Sequence, residues 1–101
     1  MNYLNIFLSE FLGTFIFLSV IIITGSPLLI GLTLALVIYL GSSISGGHYN
    51  PAVSFMFWLD GSVGNTRCCI ELIAQYLAAM AAYFSYINMS KSLLKQIRSV
   101  V

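Results

Sequence analysis

Residues 45–55, Ser-Gly-Gly-His-Tyr-Asn-Pro-Ala-Val-Ser-Phe, decide how the rest of the chain is read. Asn50 can cap a helix with its side-chain oxygen, and Pro51 suits the first helical position, where its missing N–H has no partner to lose. The apolar run that follows predicts a helix from Pro51 to about Trp58, only about 12 Å long at ~1.5 Å per residue, against a hydrocarbon core of about 30 Å. Such a helix is too short to cross. Ser45, Gly46 and Gly47 form a segment of little bulk, and its unpaired carbonyls are tolerated at membrane depth only beside a water-filled cavity. The stretch therefore reads as a re-entrant loop and half-helix over about 45–58, with the positive helix end aimed into the membrane at Asn50. A plain turn and helix start is the competing reading, because Asn-Pro is a common turn dipeptide.

Outward from this stretch, composition favours the membrane. Of 101 residues, 59% are hydrophobic and 7% charged, and four bases against three acids leave a net charge of +1. Those values lie outside the usual soluble range and provide no basic face for nucleic acid. Residues 6–24 are long enough to span and carry one charge, Glu10, which makes them TM1. A secretory signal fits poorly, since the segment lacks a basic n-region, contains an acid and exceeds a typical apolar h-region. Gly25-Ser26-Pro27 breaks the chain, with Ser26 as cap and Pro27 at the first position of TM2, about 27–44. Within TM2, Gly31 and Ala35 share a face and invite close approach by a neighbouring backbone.

Residues 59–66 form a polar connection at a membrane surface, ended by Arg67. TM3 covers about 68–88 and has a small-residue face at Ala78, Ala79, Ala81 and Ala82. Residues 90–101 place Lys91, Lys95 and Arg98 among Leu93, Leu94 and Ile97, the pattern of an interfacial amphipathic helix or tail. The expected fold class is an all-α membrane protein. It has three transmembrane helices and one re-entrant half-helix over 1–89, then a basic amphipathic tail over 90–101.

Ser45-Gly46-Gly47-His48-Tyr49-Asn50-Pro51-Ala52-Val53-Ser54 resembles the first Asn-Pro-Ala loop of the aquaporin and aquaglyceroporin family, the major intrinsic proteins, whose usual form is Ser-Gly-x-His-x-Asn-Pro-Ala-Val. Glu10-Phe11-Leu12-Gly13-Thr14 is similar to that family's first-helix Glu-x-x-Gly-Thr, and Gln75 to Ala79 is similar to its third-helix Gln-x-x-Gly-Ala, with Ala78 in place of glycine. The resemblance implies that Asn50, Pro51 and Ala52 stand at a pore and that the carbonyls of Gly46, Gly47 and His48 line it. It also implies that Glu10 and Gln75 support the loop from behind. An ionisable Glu10 inside a span is a site candidate on physical grounds as well, because such groups are costly without partners.

Other chemistry finds little support. His48 has no second histidine and no acid near it in sequence, so a hydrogen-bonded structural role is expected. Ser45 and Ser54 lack an evident base, which argues against an enzyme. Cys68 and Cys69 are adjacent in an apolar segment, so neither a disulfide framework nor a metal-ligand spacing exists, and both read as buried thiols. No metal and no cofactor is expected.

Family members normally carry six spans and two such loops, the second Asn-Pro-Ala-Arg; here there are three spans and one loop. One copy makes half a pore, and an exposed half-helix tip would leave polar backbone against lipid. Pairing with a second copy inserted upside down provides the inverted repeat that other channels hold in one chain. The resemblance further suggests that pores gather in fours, making eight chains. The bases, one at Arg67 against three near the C-terminus, favour a cytoplasmic C-terminus, whereas antiparallel pairing requires both orientations. The expected function is passive conduction of water and small uncharged solutes such as glycerol. The alternatives are a weakly selective ion channel, a non-conducting structural membrane protein, or one half of a heteromeric pore. Offsets from the family's filter land on Ile30, Ile38, Gly47 and Val53, a candidate constriction without an arginine or an aromatic wall. Plain packing is the competing role for Ile30 and Ile38.

Overall fold

The helices begin and end where capping chemistry allows. The computed structural model describes residues 2–101; residue 1, where the half-repeat reading begins, lies outside them. Asn2 accepts from the N–H of Leu4 at 2.9 Å and opens α1, Tyr3–Thr24, which Gly25 closes at φ 61°. Ser26 accepts from the Leu29 N–H at 3.3 Å, and Pro27 then starts α2, Pro27–Ser45, which ends at Gly46 with φ 88°. These two glycines take the left-handed conformation that L side chains resist, so each helix stops where its sequence permits reversal. The remaining helices are α3, Pro51–Leu59; α4, Asn65–Ile87; and α5, Lys91–Val100. The first span thus starts at Tyr3 and the third at Asn65, each three residues before the expected boundary, because Asn2 and the turn at Gly64 set the ends rather than the apolar run.

Three helices, α1, α2 and α4, are long and apolar enough to cross a membrane. The nine residues of α3 reach only about 14 Å and cannot. The hub is α1, which packs against α2, α4 and α5, while α3 packs against α4. On α4 the buried positions Cys68, Glu71, Gln75, Ala78 and Ala82 alternate three and four apart and so form one helical face. The small side chains of Ala78 and Ala82 let the α1 backbone come close, which is how membrane helices associate without a hydrophobic gain between them.

Burial is inverted relative to a water-soluble fold. The largest fully buried side chains are Ile6, Gln75, Glu10, Glu71, Thr14, Ser45 and Ser54, all polar but one. Leu12, Leu28, Leu32, Leu36 and Leu40 are exposed. Polar groups inside, leucines outside and three helices long enough to cross make an integral multi-pass membrane protein.

Two expectations are corrected. Gly31 and Ala35 are exposed, and a Cβ built on Gly31 meets nothing within 4 Å, so no helix of this chain uses them. The close approaches lie instead at Gly13 and Gly41, where a Cβ would overlap Tyr49, because a loop side chain fills that notch. Cys68 is buried but Cys69 is exposed, since successive helical residues point about 100° apart.

Candidate functional site

The loop between α2 and α3 is a tight reversal built on left-handed residues: Gly46 at φ 88°, Gly47 at φ 65° and, unusually for a bulky residue, Tyr49 at φ 53°. Gly47 is pressed against α2 so closely that an added Cβ would lie 3.3 Å from the Ile38 Cα. Tyr49 is held in its costly conformation from both ends. Its N–H donates to Glu10 Oε1 at 2.8 Å, and its hydroxyl donates to the Val37 carbonyl at 2.9 Å. Between them the ring occupies the notch that Gly13 and Gly41 leave open.

Glu10 organises the back of this loop. Its Oε2 accepts from Ser45 Oγ at 2.5 Å and from the His48 N–H at 3.3 Å, and its Oε1 accepts from the Tyr49 N–H and from Gln75 Nε2 at 2.9 Å. Four donors around one fully buried carboxyl group are what makes such a group tolerable at membrane depth. Gln75 uses its second N–H on Ser54 Oγ, also at 2.9 Å, so one amide joins the loop support to α3. Its own oxygen, like Thr14 Oγ1, is buried without a hydrogen-bond partner.

A second acid, which the sequence reading left without a role, completes the framework. Glu71 Oε1 accepts from Ser54 Oγ at 3.0 Å and pairs with His48 Nδ1, while Oε2 accepts from Arg67 Nε at 2.9 Å. Arg67 Nη2 reaches back to the Ser45 carbonyl at 2.7 Å, so the last residue of α2 is tied to the first turn of α4. The His48 ring also stacks on Phe57, with centroids 4.9 Å apart. His48 has no acid near it in sequence, but Glu71, 23 residues away, is in contact with it in space. Helical spacing was the available signal, because Arg67, Glu71 and Gln75, four apart on an otherwise apolar helix, fall on one face.

The front of the site differs from the back. Asn50 caps α3 through its side-chain oxygen, which accepts from the Ala52 N–H at 2.9 Å, and Pro51 occupies the first helical position. Asn50 and Ala52 are exposed, Pro51 and Val53 are half-buried, and Gly46 is exposed beside them. Of the four constriction candidates, Ile38 and Gly47 are in contact. Ile30 lies eight residues earlier on α2, about 12 Å away along the axis, and Val53 sits on α3. No group of acids, histidines and cysteines among the described residues is placed to hold a metal ion.

Comparison with known proteins finds relatives by sequence. A glycerol uptake facilitator protein-like 6 of Lactiplantibacillus plantarum is 36% identical over an alignment that covers 89% of this chain and 49% of the relative. The propanediol uptake facilitator PduF of Salmonella typhimurium is 34% identical over 78% of this chain and 36% of its own length. An aquaporin-2 of Botryotinia fuckeliana is 32% identical over 80% of this chain. The chain spans about half the length of these curated relatives or less. No solved structure matches it. The family model for major intrinsic proteins matches residues 1–100, and the chain belongs to the major intrinsic protein family.

Proposed function

We propose that the protein is a passive channel for water and small uncharged solutes such as glycerol, formed when two copies pair in opposite orientations. The observation that carries the reading is the asymmetry of α3: its back is tied to Gln75 and Glu71 through Ser54, while Asn50 at its tip is exposed. A polar tip at membrane depth needs protein or water in front of it, not lipid. A second, inverted copy provides both, with two half-helix N-termini meeting near the midplane.

In that arrangement the pore centre carries the partial positive charge of two helix ends, which disfavours cations, and each Asn50 amide donates to a passing oxygen. The N–H groups of Gly47, His48 and Tyr49 are used behind the loop on Ser45 and Glu10, so the carbonyls of Gly46, Gly47 and His48 are the groups offered to solute. Glu10 and Gln75 hold that ladder in place. Ile30 of one copy faces Ile38, Gly47 and Val53 of the other, giving two apolar constrictions. Four such pores, eight chains, follow the family pattern.

Stopped-flow light scattering on proteoliposomes tests conduction, where faster osmotic shrinkage than in empty vesicles is expected and equal rates would leave a non-conducting structural protein. Val53→Arg is expected to lower the glycerol-to-water permeability ratio, and Ile30→Trp to narrow the constriction. Currents across a bilayer under a salt gradient would instead point to a weakly selective ion channel. Tagging both termini in intact cells should label each on both faces. A single orientation would replace the homodimer with a heteromeric partner.

A further inference from the structure

At the far end of the molecule from α3, the chain folds back on itself. Ser90 accepts from the Leu93 N–H at 3.1 Å and starts α5, which packs against α1. Arg98 Nε donates to the Ile23 carbonyl at 2.9 Å and Nη2 to the Ile22 carbonyl at 3.2 Å, satisfying acceptors that the last turn of α1 leaves open. The guanidinium also lies over the Tyr86 ring, 6.0 Å from its centroid. These contacts hold α5 at the ends of two spans, α1 and α4, where a membrane surface would lie.

At about 100° per residue, Lys91, Lys95 and Arg98 fall on one side of α5. Beside them opens a cavity of about 760 Å³, lined by these three cations together with Tyr86, Ile87 and Leu94. Neither lysine has a hydrogen-bond or ion-pair partner among the described residues. No acidic side chain is near: Glu10 and Glu71 are buried in the network behind the loop, and Asp60 lies before α4, whose 23 residues put about 35 Å between it and α5. Three of the chain's four bases therefore surround one apolar-floored cavity at the interface.

We infer that this cavity is a site for an anionic phospholipid, its phosphate held by Lys91 and Lys95 beside the anchored Arg98 and its acyl chains lying along Ile87 and Leu94. The chemistry fits a lipid better than a free anion. Two flexible ammonium groups provide charge without a fixed fork, and the floor is apolar where an acyl chain leaves the headgroup. The site is independent of whether the pore conducts.

The full chain, reconstituted in vesicles of nine parts phosphatidylcholine to one part phosphatidylglycerol and extracted in mild neutral detergent, tests this through the phospholipids it retains. Retained phosphatidylglycerol should be enriched over its share of the bilayer. Lys91→Gln with Lys95→Gln should remove the enrichment, roughly fivefold for each lysine lost, while Lys91→Arg with Lys95→Arg should keep it. Both lysines are exposed and outside the packed network, so the helical circular dichroism signal should be unchanged in either variant. Equal retention of the two lipids by the native chain, or undiminished enrichment in the glutamine variant, would overturn the proposal. Displacement of the lipid by millimolar inorganic phosphate would overturn it as well, showing a simple anion site.

Discussion

The two sides of α3 are opposites. On its back, Ser54 is fully buried and bonded to Gln75 and Glu71 within a network that joins α1, α2, the loop and α4. On its front, Asn50, Ala52, Phe55 and Met56 are exposed. The polar contacts of this network hold the half-helix from behind, and none of them covers its tip. The described residues thus build a wall that is tied down on one side and open on the other, and the proposed pairing is a proposal about that open face.

The largest break in this contrast should come from Glu10→Ala. It strands the N–H groups of His48 and Tyr49 and the amide of Gln75, at about 1–3 kcal/mol for each buried donor left unmade. Denaturation in mixed micelles should show a loss of at least 3 kcal/mol, and a native-like midpoint would dismiss Glu10 as the organiser. Gly41→Val comes next. It drives a side chain into the Tyr49 hydroxyl and should cost about 1–3 kcal/mol, an effect that Tyr49→Phe should partly relieve.

A change to the front should behave differently. Asn50→Ala removes only the cap, about 1 kcal/mol of stability. Its cost should appear instead in permeability measured at equal protein level, and a stability loss as large as that of Glu10→Ala would erase the distinction between the two faces. The smallest expected effect lies in the connection before α4. There the Ser62 hydroxyl and N–H hold the Asp60 carboxyl below its ordinary value of about 3.9. A depressed pKa contributes stability above that value and loses it as pH falls through the folded one, so a slight drop below pH 4 is expected. Ser62→Ala should flatten it.

Much of this was legible in the residues themselves. Asn50-Pro51, Ser26-Pro27 and the apolar lengths around them carry local chemistry: caps, a missing N–H and the thickness of a bilayer set where helices start and which can cross. The acid inside α1 signalled a buried partner set, though not which donors would supply it. Sequence alone placed Gly31 and Ala35 at a contact that no helix of this chain makes and read both cysteines as buried. Only the tertiary structure brought Glu71 and Arg67 to His48 and Ser45, seated Tyr49 between Gly13 and Gly41, and folded Arg98 under the end of α1. Caps and spans depend on neighbours within a turn or two and can be read in order along the chain. A hydrogen bond between residues 65 apart, such as Gln75 to Glu10, exists only once the helices have chosen their faces, and that choice is made by packing.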